Sequence, residues 1–300
     1  MSRSRRAALA ALAAAALSVP VTAGAAPGGF PVTLDTPAGD VTIPRAPQRI
    51  VSLSPTATET LYAIGAGPQV IAVDKYSDHP ARAPRTDLSG FSPNVEAIAA
   101  RRPDLVVVSH DVKGVVGALR TLRIPVLFLP AARNVATAYR QWRRLGRATG
   151  HDREAGRLVA RVRGRIDAIV AATPRRTHRP TVYHEVSPDL YSATSRTFIG
   201  EAYRRLGLVN LADAAPGGRD YPQLSPELIV SRDPDLIVLA DADCCDQTPA
   251  TVAARPAWGA LTAVREGHVV TVDEDVASRW GPRIATLYRD LARGVAALPR

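Results

Sequence analysis

The chain has 300 residues, of which 46% are hydrophobic and 22% are charged, and its formal net charge at pH 7 is +10. This length suits two domains of ordinary size, and the large apolar share argues against a disordered chain. Many arginines lie between positions 140 and 179. We interpret them as the solvated face of helices, so we expect no nucleic-acid partner.

The first residues have the pattern of a secretory signal peptide. An arginine-rich start is followed by an apolar run and then by small residues. Ala23-Gly24-Ala25 fits the small-x-small pattern of a cleavage site, so we expect cleavage near Ala25 or Ala26. No cysteine lies at that point, which predicts no lipid anchor. The expected mature protein is exported and soluble, either periplasmic or secreted.

Strand and helix patterns alternate from residue 27 onwards. Continuous aliphatic runs, such as LVVV at 105–108, are typical of parallel strands buried on both faces. One helical pattern ends at Gly150, and a second runs on to Pro174, after which the strand and helix alternation starts again. The sequence therefore predicts an α/β protein with two Rossmann-like lobes joined by a long spine helix. The predicted segments are a signal peptide at 1–26, an N-terminal lobe at 27–149, a spine helix at 150–173 and a C-terminal lobe at 174–300.

One motif occurs twice. NVEAIAARRPDLVVVS begins at Asn94 and SPELIVSRDPDLIVLA begins at Ser225, and each places a glutamate seven residues before a Pro-Asp-Leu step. These glutamates, Glu96 and Glu227, fall in the first turn of a predicted helix. The helix dipole alone favours a carboxylate there by ~0.3–1 kcal/mol, so the position needs no partner. The repetition indicates two lobes built to one plan.

These two segments, with PQRIVSLSPTATETLYAIG, YSDHP and the closing SRWGPRI, carry a family resemblance. The chain resembles the helix-hinged substrate-binding proteins of ABC importers, which carry cobalamin, ferric siderophores, haem and some metals. YSDHP, YPQLSPE and DVASRWGPRI are most similar to the cobalamin-binding branch. The resemblance covers nearly all of the mature chain and implies a ligand cleft between two lobes that close only slightly.

The resemblance also implies partners. Each lobe of such proteins offers one exposed acidic residue that docks on basic residues of a dimeric permease, and the matching positions here are Glu96 and Glu227. ATP would be hydrolysed by separate subunits of the importer. The expected protein is a monomer that binds a small molecule and has no cofactor of its own.

Ligands of open α/β sheets bind outside the carboxyl ends of the strands. The aromatic and charged residues expected at that edge are Tyr76, Phe91, Tyr191, Tyr221, Asp275, Arg279 and Trp280. The resemblance implies ligand contacts for this set apart from Tyr191 and Trp280. Phe91 and Tyr221 stand where the cobalamin branch often has tryptophan. Arg279 could pair with Asp275, four residues away, or hold an anionic group of the ligand.

A corrinoid needs flat apolar walls and a wide cleft, so the expected ligand is cobalamin. A ferric siderophore or haem is the alternative. For haem, His110, Tyr76 or Tyr191 could serve as an axial ligand. The spacing of the histidines matches no compact metal-ligand motif, so we expect no dedicated metal site.

Cys244 and Cys245 are adjacent and are the only cysteines. Exported proteins favour disulfides, so we expect a vicinal disulfide beside the ligand, with two free thiols or an intermolecular bond as alternatives. The competing class is a secreted α/β enzyme. The chain has no G-x-S-x-G, H-E-x-x-H or phosphate-loop motif, and we therefore predict a binding protein without catalysis.

Overall fold

Residues 29–299 are described by a computed structural model of the chain. The predicted signal peptide at residues 1–26 lies outside the described residues. Within residues 29–299, no helix has both the length and the apolar character that a membrane crossing requires. The described chain begins with an antiparallel hairpin of β1 (Val32–Leu34) and β2 (Val41–Ile43).

The N-terminal lobe is built on a parallel sheet of four strands. Its strands are β3 (Ile50–Leu53), β4 (Val70–Val73), β5 (Leu105–Val108) and β6 (Val126–Phe128), in the order β4-β3-β5-β6. Its helices are α1 (Pro55–Ala63), α2 (Val95–Ala99), α3 (Val115–Thr121) and α4 (Val135–Thr149). Every residue of β3 and β5 is buried, as the continuous aliphatic runs predict for central parallel strands.

The predicted spine helix is α5 (Asp152–Ala172), with 21 residues. Gly150 separates it from α4 because its left-handed backbone, at φ 81°, ends the preceding helix. The buried stripe of α5 consists of Ala155, Leu158, Val159, Val162 and Ile166. The sequence pattern extends this stripe to Ile169 and Val170. These two residues are only half-buried, because the last turn of the helix lies at the margin of the core.

The C-terminal lobe has a second parallel sheet. Its strands are β7 (Thr181–Glu185), β8 (Val209–Asn210), β9 (Leu236–Leu239) and β10 (Val269–Thr271), in the order β10-β9-β7-β8. Its helices are α6 (Phe198–Arg205), α7 (Pro226–Arg232), α8 (Ala242–Cys245), α9 (Pro249–Ala253), α10 (Thr262–Arg265), α11 (Glu274–Ser278) and α12 (Ile284–Ala297).

The two sheets have the same topology. When the strands of each lobe are counted from its beginning, both sheets have the order second, first, third, fourth. The repeated motif occupies matching places, because α2 precedes the third strand of one sheet and α7 precedes the third strand of the other. The prediction of two lobes built to one plan is therefore confirmed. One hydrophobic core runs from the N-terminal sheet through α4 and α5 to α12, and joins the lobes into one body.

Candidate functional site

A groove of about 420 Å³ lies between the lobes, and we call it the ligand groove. One wall comes from the carboxyl ends of three strands of the N-terminal sheet, where Leu53, Asp74 and Ser109 lie. The opposite wall comes from α11 and the residues that follow it, Glu274 to Trp280. The groove thus lies at the sheet edge where open α/β folds bind their ligands.

The ligand groove brings together five of the seven candidate residues. Its lining includes Tyr76, Phe91, Asp275, Arg279 and Trp280.

The other two candidates, Tyr191 and Tyr221, do not line it. They lie on loops of the C-terminal lobe and are 39% and 40% exposed. A backbone bridge between Tyr191 and Gln223 holds these two loops together.

Aromatic side chains form the N-terminal wall of the ligand groove. Tyr76 and Phe91 are 47% and 59% exposed, and their rings meet edge to face with centroids 5.7 Å apart. The ring of Phe91 also lies 5.0 Å from the ring of His110. Because contiguous exposed apolar surface often marks a binding site, this aromatic wall is suited to a flat apolar ligand.

Gly90 positions Phe91. A Cβ atom at Gly90 would lie 2.5 Å from the carbonyl oxygen of Leu53 and 3.2 Å from Oδ2 of Asp74. Only glycine therefore lets this loop approach the end of β3 so closely. The hydroxyl of Ser89 accepts hydrogen bonds from the backbone N–H groups of Phe91 and Ser92, at 3.3 and 3.0 Å, and fixes the turn.

Arg279 is 8% exposed and holds the two walls together. Its Nη1 donates to Oε1 of Glu59 at 3.1 Å and to Oδ1 of Asp78 at 2.9 Å, and its Nη2 donates to the carbonyl oxygen of Tyr76 at 3.0 Å. It also forms an ion pair with Asp275. The sequence left two roles open for Arg279, pairing with Asp275 and binding an anionic group of the ligand. The structure contains the pair with Asp275 and adds pairs with Glu59 and Asp78. The guanidinium thus positions the groove walls, and its contact with a ligand stays a prediction.

Glu59 is buried on α1 and accepts hydrogen bonds from a second arginine, Arg283. Arg283 donates from Nε to Oε2 of Glu59 at 3.0 Å and from Nη2 to Oε1 at 2.7 Å. A Cβ atom at Gly281 would lie 3.1 Å from the same carboxylate. The segment after α11 is therefore closely fitted to the N-terminal lobe.

Trp280 is a packing residue whose edge reaches the ligand groove. Its Nε1 donates to Oε1 of Gln141 at 2.7 Å, and its carbonyl oxygen accepts from Nε1 of Trp142 at 3.2 Å. Both partners lie on α4, and Phe198 packs against the ring with centroids 6.1 Å apart. Because the side chain is 8% exposed, its contribution is mainly to the shape of the groove.

Carboxylates dominate the electrostatics of the ligand groove. Burial raises the pKa of Asp74 and the pKa of Asp275 above their ordinary values. Burial also acts to raise the pKa of Asp78, but the hydrogen bond and charge of Arg279 outweigh it and lower that pKa. Burial lowers the pKa of His110, so its imidazole is neutral at pH 7. The positive charge of Arg279 is taken up by its carboxylate partners, and the groove therefore disfavours strongly anionic ligands.

Glu96 and Glu227 are exposed in the first turns of α2 and α7. Asn94 caps α2 by accepting from the N–H of Ala97 at 2.9 Å, and Ser225 caps α7 in the same way. Each glutamate is followed two residues later by a buried isoleucine. The helices therefore anchor in the core through one face and present their glutamates on the other.

The two cysteines lie outside the lining of the ligand groove. Cys244 and Cys245 are bonded to each other in α8, where Cys244 is exposed and Cys245 is half-buried. This helix packs against α11, which forms one wall of the groove. The disulfide therefore does not line the groove but adjoins one of its walls, and its expected position beside the ligand stays a prediction.

Sequence reasoning missed several residues of the site: Glu59, Asp74, Gly90 and Glu274. The sequence contained a signal for Glu59 as a buried charge with a partner, because it is the one charged residue within the run TATETLYA of α1. Asp74 had a weaker signal, since it ends the aliphatic strand VIAV. Gly90 had no signal, because the close approach that requires it is between segments far apart in sequence.

Comparison with known proteins places the chain among transport proteins. Residues 50–276 match the family model described as periplasmic binding protein. The chain is 36% identical over 264 residues to the "Cobalamin-binding protein" of Halobacterium salinarum (strain ATCC 29341 / DSM 671 / R1), covering 85% of this chain and 71% of the relative. It is 31% identical over 276 residues to the "Uncharacterized ABC transporter substrate-binding lipoprotein YvrC" of Bacillus subtilis (strain 168), covering 89% of this chain and 86% of the relative.

A solved structure has the same fold. It is described as a possible iron-binding (periplasmic solute-binding) protein from Staphylococcus epidermidis ATCC 12228. The TM-score is 0.73 at 26% identity, and the match covers 84% of this chain and 99% of the other.

Proposed function

Because the chain belongs to the periplasmic binding protein family, we propose that it captures a corrinoid, cobalamin in the first place, and delivers it to an ABC permease. The observation that carries the proposal is the ligand groove, whose exposed aromatic wall of Tyr76 and Phe91 faces an acidic wall across the two lobes. The relative named for cobalamin binding, at 36% identity over most of the chain, supports the same ligand.

The chemistry of the groove suits a flat ligand without a large negative charge. The rings of Tyr76 and Phe91 can pack against the apolar face of a corrin macrocycle. Asp275 and Ser109 line the groove and can accept hydrogen bonds from the amide groups at the edge of such a ligand. Arg279 keeps the loop of Tyr76 and the end of α11 in register through hydrogen bonds and ion pairs. The ligand is cargo in this scheme and leaves unchanged.

Delivery depends on a second surface. Glu96 and Glu227 are exposed at matching places of the two lobes, as a permease with two similar basic sites requires. An exposed ion pair contributes only ~0–1 kcal/mol, so the surrounding surface must contribute to docking as well. The protein acts as a monomer that docks on a permease dimer, and separate subunits hydrolyse ATP. Export by cleavage near Ala25 or Ala26 is part of the same proposal, and N-terminal sequencing of the secreted protein tests it.

A haem or ferric siderophore carrier is the second candidate, and His110 is the observation that favours it. The imidazole lines the ligand groove beside Phe91, and burial lowers its pKa, so that it is available as a neutral ligand for iron. The acidic residues around the groove argue against this cargo, because haem and many siderophores carry carboxylates.

A thermal-shift measurement with three probes distinguishes the candidates. Mature protein is heated with cyanocobalamin, hemin or a ferric siderophore, each in excess. A ligand at a hundred times its Kd adds about 2.7 kcal/mol to the free energy of unfolding, which raises Tm by several degrees. A rise with cyanocobalamin alone is the expected result. A rise only with hemin or the siderophore would replace the corrinoid by the second candidate.

A further inference from the structure

An apolar groove lies directly beside Glu227 on the surface of the C-terminal lobe, and we call it the C-lobe groove. Its volume is about 610 Å³, larger than the ligand groove, and the two grooves share no lining residue. Its apolar walls come from Pro188, Leu190, Pro226, Val230, Pro256 and Ala257. Glu227 and Ser231 form its polar rim. The cavity is thus separate from the cargo site and adjoins one of the two glutamates assigned to docking.

The floor of the C-lobe groove is rigid. Trp258 is 1% exposed, and the guanidinium of Arg255 stacks over its ring at 4.6 Å. Arg255 also donates two hydrogen bonds of 2.6 Å to the carboxylate of Glu185, which is fully buried. Glu185 therefore neutralises the positive charge of Arg255 from the protein interior. The surface that the groove presents to an occupant is apolar.

The lip of the groove has a strained backbone. Ala257 has a φ of 68°, a left-handed conformation that costs a residue with a side chain free energy and that tends to occur at functional sites. Its neighbour Pro256 and the prolines at positions 188 and 226 restrict the remaining walls. The groove is consequently preformed, so an occupant need not order it.

The N-terminal lobe differs at the matching positions. In the repeated motif, Leu228 and Val230 follow Glu227 where Ala97 and Ala99 follow Glu96. Val230 lines the C-lobe groove, whereas the corresponding Ala99, the last residue of α2, has only a methyl side chain. A partner with two identical sites therefore meets larger apolar side chains beside Glu227 than beside Glu96.

We propose that the C-lobe groove receives a large apolar side chain of the ABC permease, carried close to the basic residue that pairs with Glu227. The inference rests on the proposed function, since it requires the permease as partner. Charge complementarity supports this occupant. Glu227 is exposed and no residue of the described range 29–299 forms an ion pair with it, so its carboxylate is available to a basic residue of the partner.

Magnitudes favour the groove over the ion pair as the source of affinity. An exposed ion pair strengthens binding by up to about fivefold, whereas burying one leucine or phenylalanine side chain strengthens it by about 10- to 100-fold. The glutamates then determine where the permease docks, and the groove contributes most of the binding affinity. The groove adjoins Glu227 of the C-terminal lobe, so this contribution to affinity falls at the permease site that Glu227 meets.

The test measures binding of the detergent-solubilised permease–ATPase complex from the source cells by biolayer interferometry. Val230→Glu places a charge in the groove, and Ser231→Trp closes its rim from an exposed position. Ala99→Glu is the matched control at the equivalent place of the N-terminal lobe. We expect both groove variants to raise Kd at least tenfold and the control to raise it less than threefold. Thermal unfolding and circular dichroism establish that each variant is folded.

The outcomes separate this inference from the proposed function. If Glu227→Gln weakens binding while Val230→Glu and Ser231→Trp bind as the wild type does, the C-lobe groove is not occupied and the docking glutamates stand. If Val230→Glu does not fold, the Kd of Ser231→Trp alone shows whether the C-lobe groove is occupied. If the wild-type protein shows no binding to the importer, the proposed delivery itself is wrong.

Discussion

Nη1 of Arg279 lies 3.1 Å from Oε1 of Glu59, although the two residues are 220 positions apart in the chain. Both side chains are buried. Glu59 belongs to α1 of the N-terminal lobe, whereas Arg279 follows α11 of the C-terminal lobe. This pair fixes the end of α11 against the N-terminal lobe and thereby sets the width of the ligand groove.

Removing this carboxylate should be strongly destabilising. Glu59→Ala removes the buried partner that Arg279 and Arg283 share. Breaking a buried pair costs about 3–5 kcal/mol, and we expect the lower end of this range because Asp78 and Asp275 still compensate Arg279. Denaturant unfolding measures the loss. The control is Glu154→Ala, which removes the exposed pair with Arg157 and should leave the free energy of unfolding almost unchanged. Equal effects of the two substitutions would contradict a structural role of the buried network.

Gly90→Ala should impair ligand binding. The added methyl group would lie 2.5 Å from the carbonyl oxygen of Leu53, so the loop that carries Phe91 must move away from the sheet. We expect at least a tenfold loss of affinity for the ligand identified by thermal shift, measured by calorimetry. Gly117→Ala is the matched control, because no atom beyond its chain neighbours and the backbone of its own helix lies within 4 Å of the added Cβ. An unchanged affinity for Gly90→Ala would mean that Phe91 does not contact the ligand.

The aromatic candidates should differ in their effects. Phe91→Ala removes part of the groove wall and should weaken ligand binding by about 10-fold or more, as expected for a lost aromatic contact. Tyr191→Ala changes a loop outside the groove lining and should alter affinity less than threefold. Titration calorimetry of both variants measures the difference. A larger loss for Tyr191→Ala would show that the C-terminal lobe closes onto the ligand through that loop.

His184 should make the protein less stable in acid. The imidazole is fully buried on β7, with Nδ1 2.6 Å from the hydroxyl of Tyr203, and burial lowers its pKa from 6.5 to about 4. The unfolded chain binds the proton between these two pH values and the folded protein does not. Stability therefore falls as the pH falls from 6.5 to about 4, by roughly 3 kcal/mol in total.

His184→Gln should remove the contribution of His184, so the wild type should lose stability relative to the variant as the pH falls from 6.5 to about 4. The amide can keep a hydrogen bond to Tyr203 and does not titrate in this range. Urea unfolding at several pH values between 4.5 and 7.5 measures the slope, and the exposed His178→Gln is the control. A slope that persists unchanged in His184→Gln would assign the acid sensitivity to other groups.

Asp241 should have the opposite pH dependence. It is fully buried, and burial together with the charge of Glu185 raises its pKa from 3.8 to about 7. Between these pH values the folded protein binds a proton that the unfolded chain has lost, so stability falls as the pH rises from about 4 to about 7. Asp241→Asn should therefore be more stable than the wild type at pH 8 and similar to it near pH 4. Asp243→Asn, at an exposed position, is the control for the same unfolding experiment.

Much of the fold followed from local patterns. The limits of α4 and α5 were readable because Gly150 ends one helix and an apolar stripe continues in the next. The caps Asn94 and Ser225 are local as well, since each accepts a hydrogen bond from a backbone N–H three residues away. The short helices between β9 and β10 had no such signal. Elements of four or five residues depend on tertiary packing more than on their own sequence.

The candidate site was predictable in part. The sheet-edge rule led to Tyr76, which follows β4, whereas Phe91 reaches the groove from the loop before α2. Both residues line the ligand groove, and their contact with a ligand stays a prediction. The same rule included Tyr191 and Tyr221, which share the edge of their own sheet but not the ligand groove. Which loops face the groove depends on the relative orientation of the two lobes. The positions of strand ends in the sequence do not determine this orientation.

The sequence by itself determined the repeated plan of the lobes, the capped helices that present Glu96 and Glu227, and the family. These features rest on interactions between residues a few positions apart, or on motifs that are read directly. Only the tertiary structure decided that Arg279 is neutralised by Glu59, Asp78 and Asp275, and that an apolar groove adjoins Glu227. Such contacts join segments far apart in the chain, and they exist only once both lobes have packed against the common core.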